Sequence, residues 1–157
     1  MAAAAAEARR EAIAAHGECW RLLEKPDRTH EETAAMIAAA LKSLKLWQEV
    51  GNPVNDQRGS WLAARAYVDA GMTEPALDFA MRTLELTTLH KGALADFDHA
   101  FAEEVVARAC ALAGDGPRAA LHHGEAKRLG AAISDPEDRK EFFRQFAIGP
   151  WFGLDHG

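Results

Sequence analysis

The stretch RAYVDAGMTEPALDFAMRTLEL, residues 65–86, recurs as RACALAGDGPRAALHHGEAKRL, residues 108–129. Arg, Ala, Gly, Pro and Ala repeat in register, with the proline one place earlier in the second copy. Each copy reads as a helix, a glycine turn and a second helix opened by proline. Glycine past a helix end takes the left-handed cap that other residues resist, and proline is tolerated in a first helical turn. Recurrence of such a unit is the mark of a helical repeat array.

Working outward, breakers and caps divide the rest of the chain into helices. The reading predicts seven, over about residues 3–25, 29–50, 56–71, 75–90, 98–113, 117–130 and 134–147. Pro26 stops the first. Thr29 with Glu32 opens the second as a capping box, and Ser134, Pro136 and Glu137 open the last in the same way. Gly51-Asn52-Pro53 separates the second helix from the third. The apolar positions Ile37, Leu41, Leu44 and Trp47 follow helical spacing. The tail GPWFGLDHG is apolar enough to fold back onto the domain.

Composition agrees. The 157 residues are 48% hydrophobic with much alanine, and Ala, Leu, Glu, Arg and Lys are the strongest helix formers. A chain of this length buries roughly 70% of its unfolded surface and needs no metal or disulfide to fold. The net charge of −6 disfavours nucleic acid as a partner. No apolar run reaches the roughly 20 residues of a membrane span, and the alanine-rich start lacks the charge order of a signal peptide. Cys19 and Cys110 form no zinc or disulfide pattern. A cytoplasmic protein with no cofactor is expected.

The repeat resembles the tetratricopeptide repeat (TPR), a helix-turn-helix unit of about 34 residues. The small residues required where the two helices cross are Ala64 and Ala107, and again Ala76 and Ala119. Tyr67 and Cys110 hold equivalent places. The departures are a tryptophan displaced by one position to Trp61, no aromatic at Ala80 or His123, and no closing proline. The two glycines lie 43 positions apart, so an insertion of about nine residues against the usual repeat is expected around Thr88 to Phe97. The segments WQEVGNPVNDQRGSWLAARAY and DFDHAFAEEVVARA are also similar to a group of short bacterial proteins without an established activity.

The resemblance implies an all-α domain of about three stacked antiparallel hairpins. Residues 1–52 would form a degenerate first hairpin, 56–90 and 98–131 two repeats, and 134–157 a capping helix with its tail. It further implies that the first helix of each hairpin lines a concave groove. Arg58, Trp61 and Arg65 face that groove from one repeat, and Phe101, Glu104 and Arg108 from the next. Arginine forks match carboxylates and phosphates, and aromatics supply apolar area. The expected function is therefore a non-enzymatic module binding a peptide, a protein partner or a small anionic ligand. Alternatively, Glu104 and Arg108 pair along their own helix, Arg58 and Arg65 pair with Asp56 and Asp69, and Trp61 is core.

Other constellations carry less. His16 and Cys19 share a face and invite a nucleophile reading, against that of a packed thiol. Asp96, Asp98 and His99, with His122, His123 and Glu125, have spacings found in helical metal sites. They support the alternative of a small, metal-assisted enzyme using Asp98, His99, Glu104 and His123. Helix capping is the plainer role for Asp96 and Asp98. A third reading is a structural subunit of a larger assembly. Trp151 and Phe152 in the tail either plug the groove or form a homodimer contact.

Overall fold

The computed structural model describes residues 2–154. Seven α-helices and one 3₁₀ turn make up the fold, with no strand among the described residues. They are α1 (Ala2–Leu23), α2 (His30–Val50), α3 (Pro53–Asp69), α4 (Thr73–Leu89), α5 (Asp96–Leu112), α6 (Gly116–Ala131) and α7 (Pro136–Ala147). The 3₁₀ turn, Lys91–Ala93, lies in the expected insertion.

The caps explain the boundaries. Thr29 and Glu32 form the predicted capping box of α2. The third helix begins at Pro53 rather than Asp56, because Asn52 and Asn55 form a second capping box and Pro53 takes the first helical position. The proline read as a breaker is thus a helix start, where its missing N–H costs nothing. The last helix is capped by Asp135, which accepts from the N–H of Glu137 and Asp138. Ser134, read as the cap, donates instead to Asp96.

Gly71 and Gly114 have φ of 71° and 79°. At each, two hydrogen bonds close the helix end: Met72 N–H to Tyr67 O with Gly71 N–H to Val68 O, and Asp115 N–H to Cys110 O with Gly114 N–H to Ala111 O. This is the Schellman pattern, and it demands the left-handed conformation that glycine adopts freely. The recurrence in the sequence is thus a recurrence of helix-ending geometry.

Sequential helices pack as neighbours, most extensively α1 with α2, α3 with α4 and α5 with α6. The odd-numbered helices also touch, α1 with α3 and α3 with α5. Ala64, Ala107, Ala76 and Ala119 are fully buried, as close helix approach requires. One core joins α1 through α6 around Leu22, Met36, Leu62, Val68, Val105 and Val106. A second, aromatic core lies under α7, with Phe142, Phe146 and Trp151 packed on Ala100, Ala107 and Ala126.

The tail folds back, as its composition predicts. Trp151 is buried and donates through Nε1 to Phe146 O at 3.0 Å. Phe152 does not follow it inward but stays 43% exposed, with φ 53°.

Candidate functional site

Helices α3 and α5 carry the six predicted groove residues, but they divide into two sets. Arg65, Glu104 and Arg108 are buried, at 3%, 1% and 0% exposure. None of the three stands exposed on a groove, and only Arg65 reaches the wall of a cleft. Arg108 Nε donates to Glu104, while Arg65 Nη1 lies 3.5 Å from the same carboxylate. Arg65 Nε donates to Asp69 at 2.8 Å, and Arg28 approaches Asp69 from α1's side at 3.7 Å. The result is an alternating chain, Arg28–Asp69–Arg65–Glu104–Arg108.

That chain holds three cations against two carboxylates. The tail covers the excess at Arg108, whose guanidinium donates to Gln145 O, Ile148 O and Pro150 O at 2.8–3.1 Å. Its Cζ also lies 4.2 Å from the centre of the Trp151 ring. Burial pulls Arg108 below the ordinary arginine value, with Glu104 opposing and Arg65 adding to that shift. The tail therefore seats on the groove residues. The within-helix pairing of Glu104 and Arg108 follows from their i, i+4 spacing.

The other predicted residues, Arg58, Trp61 and Phe101, line a cleft of about 170 Å³. Trp20 and His16 from α1, Gln57 from α3, Phe97 and Asp98 from α5 and Gln145 from α7 complete its walls. Trp20 stacks on Trp61 at 5.7 Å between ring centres, and Phe101 meets Trp61 edge-on at 5.4 Å. Trp61 Nε1 donates to Phe101 O and to Glu104 Oε1, each at 3.0 Å. The displaced tryptophan thus ties the cleft to the ion-pair chain beneath it.

Arg58 forms a two-pronged bridge to Asp98, Nε to Oδ1 and Nη2 to Oδ2, both at 2.9 Å. This hydrogen bonding raises the Arg58 value. The guanidinium also lies over Phe97 at 5.1 Å. Asp98 Oδ2 accepts from Ala95 N–H as well, the capping role expected of it. His16 accepts at Nε2 from Trp20 Nε1 at 3.1 Å. Its value is lowered by burial, so the ring is neutral near pH 7.

A second cleft of about 490 Å³ adjoins the first, and Trp20 and Gln145 line both. Lys25, Arg28, Arg65 and Arg144 line it against two carboxylates, Glu24 and Asp69. Leu23 and Pro26, with Ile148, Gly149 and Pro150 of the tail, form the rest of its lining. Gly149 has φ 84°, and a Cβ built there would lie 2.1 Å from Arg65 Nη2. Only glycine lets the tail approach that guanidinium so closely.

The remaining sequence candidates separate. Asp98 is held by Arg58 and Glu104 by Arg108. His123 packs between the rings of Phe146 and Trp151 at 4.8 and 5.0 Å. His122 pairs with Glu103 at 2.6 Å, and Glu125 with Arg128. Asp96 accepts from Ser134, which lowers its value. No group of three or more His, Cys, Asp or Glu suited to a metal occurs among the described residues.

Cys19 is fully buried. Burial first, then the Asp69 charge, pushes its thiol up to about 12, the opposite of an activated nucleophile. Cys19 is therefore expected to resist iodoacetamide at pH 8 in the folded protein and to react once urea unfolds it. Peptide mass spectrometry reads both states, and native labelling at the unfolded rate would contradict the burial.

No motif or repeat position in the sequence marks Trp20, Gln57, Phe97 or Gln145 as cleft residues. Trp20 had a usable signal, standing four residues after His16 and hence on its face. Gln145 had none, because α7 reaches the cleft only through tertiary packing.

Among the described residues no helix is long and apolar enough to cross a membrane. No protein-family model matches the chain, and no curated protein or solved structure is significantly similar to it.

Proposed function

We propose that the chain is a non-enzymatic, TPR-like binding module, three hairpins and a capping helix, that takes a small anionic ligand with an apolar ring. The ring occupies the aromatic cleft of Trp20, Trp61, Phe97 and Phe101. The acidic group lies toward Arg65, Arg28 and Arg144 in the neighbouring cleft. Arg58 borders the ring, while Glu104 and Arg108 support the site from beneath rather than touch the ligand. The protein acts in the cytoplasm.

One observation carries this reading. An aromatic cleft and a cation-rich cleft share two lining residues, Trp20 and Gln145, which makes them neighbours, and the proposed ligand reaches from one to the other. An apolar body with a few convergent polar groups is the usual form of a small-molecule site. Four cations line the cationic cleft, each already paired with a carboxylate, Lys25 with Glu32, Arg28 and Arg65 with Asp69, and Arg144 with Glu141, so a carboxylate guest is held by the N–H donors those pairs leave over. The aromatic cleft is smaller than the roughly 300–1,000 Å³ of drug-sized sites, which limits the guest to one or two fused rings. The enzymatic alternative, which uses Asp98, His99, Glu104 and His123, has less support, since Asp98, Glu104 and His123 each have separate partners.

The test is a calorimetric titration with naphthalene-1-acetate and with its methyl ester, which keeps the ring and removes the charge. The acid is expected to bind about tenfold more tightly, a difference of about 1.4 kcal/mol. That advantage should shrink between 50 mM and 500 mM salt, because exposed parts of the cationic cleft are screened. Equal affinity for acid and ester, or no binding of either, would overturn the proposal.

A further inference from the structure

We propose that the aromatic cleft selects rings carrying an uncharged N–H donor, and that Gln57 is the residue that reads it. This deepens the binding reading above and rests on it.

Gln57 is 1% exposed, and its amide is oriented by the atoms around it. Nε2 donates to Thr87 Oγ1 at 3.0 Å and to Asp98 O at 3.3 Å. Thr87 spends its own hydroxyl proton on Thr83 O at 2.6 Å, so it meets Gln57 as an acceptor. The Asp98 carbonyl is an acceptor by nature. Turning the amide over would set its oxygen against both. Gln57 Oε1 is therefore left without a donor, out of contact with solvent, on a residue that lines the cleft.

Gln145 repeats the arrangement from α7. Its Nε2 donates to Glu141 Oε1 at 2.8 Å, and its Oε1 is buried without a partner. Two cleft residues on different helices thus each hold an unused acceptor. Buried polar atoms are nearly always paired in folded proteins. An apolar ring alone leaves these oxygens unsatisfied, whereas a ring N–H supplies what they lack.

The donor is uncharged because the cleft offers no free carboxylate. Asp98 accepts both prongs of Arg58. The Arg58 cation lies over Phe97, where it opposes a cationic guest. His16 contributes no negative charge.

The experiment compares indole-3-acetate with 1-benzothiophene-3-acetate, in which sulfur replaces the N–H and the shape is kept. Each is titrated calorimetrically into the full chain. The indole acid is expected to bind about tenfold more tightly. Gln57→Leu should bring the ratio to about one by weakening the indole acid, with the benzothiophene acid unchanged or tighter.

Equal affinities in the native protein overturn the donor preference while leaving the binding reading intact. Failure of both probes, together with naphthalene-1-acetate, removes the binding reading and this inference with it. A preference that survives Gln57→Leu but disappears in Gln145→Leu overturns the assignment to Gln57. If Gln57→Leu does not fold, the native comparison still decides the preference, and Gln145→Leu still decides between the two residues.

Discussion

Replacing Arg108 with methionine is expected to lower the unfolding free energy by about 3–5 kcal/mol, because breaking a buried ion pair strands its partner. The side chain is 0% exposed and satisfies one carboxylate and three tail carbonyls at once. Its removal leaves Glu104 with only Arg65 and the Trp61 N–H. It also releases Gln145 O, Ile148 O and Pro150 O from their donor. Urea unfolding followed by circular dichroism measures the loss as a shift in midpoint at constant slope. A second consequence separates this from simple core damage: the tail, no longer held, should become cleavable by protease before the helices do. A stability change under about 1 kcal/mol would mean that the tail and the ion-pair chain do not depend on Arg108, since typical surface changes lie in that range.

Two glycines of the tail allow a sharper comparison. Gly149 and Gly153 have nearly the same left-handed backbone, φ 84° and 83°. A Cβ at Gly153 would meet nothing within 4 Å, whereas one at Gly149 would lie 2.1 Å from Arg65 Nη2 and 2.9 Å from Arg108 Nη1. Alanine at either site pays the conformational cost of about 1–2 kcal/mol. Only Gly149→Ala must also displace buried, ion-paired guanidinium groups, an overpacking cost of about 1–3 kcal/mol. The Gly149 variant is thus expected to be the less stable of the two by that second amount. Equal losses by thermal or urea unfolding would show that the arginine tips yield freely and that the tail is not closely seated. Because Gly149 also walls the cationic cleft, its alanine variant should weaken the acidic probe's binding, while Gly153→Ala leaves it unchanged.

The parts legible in the sequence are those set by local chemistry. Thr29 with Glu32 forms a capping box, and Gly71 and Gly114 end helices, because a helix terminus must satisfy its own orphaned N–H and C=O groups within a few residues. Ala64, Ala107, Ala76 and Ala119 announced close helix approach because only a small side chain permits it. The errors at Pro53 and Ser134 were also local: a neighbouring residue, Asn52 or Asp135, was the better cap.

The site was only half legible, for a physical reason. Helical spacing correctly set Arg58, Trp61 and Arg65 on neighbouring turns, but spacing does not say what covers a face. Arg65, Glu104 and Arg108 read as groove residues because arginine and glutamate are costly to bury. They are buried here because each meets a partner distant in sequence, the tail carbonyls from Gln145 to Pro150 foremost. The composition of Trp20, Phe97, Gln57 and Gln145 into one cleft depends on α1, α3, α5 and α7 meeting.

The sequence by itself determined the helices, their ends and the recurrence of one helical unit, since hydrogen bonds within a few residues govern all three. Only the tertiary structure decided which charges are neutralised inside, which aromatics remain open and which amide oxygens lack a donor. Those outcomes depend on desolvation and on pairing between groups some 40 positions apart, as with the side chains of Arg58 and Asp98 or the Arg108 guanidinium and the Ile148 carbonyl, and no local rule carries that information.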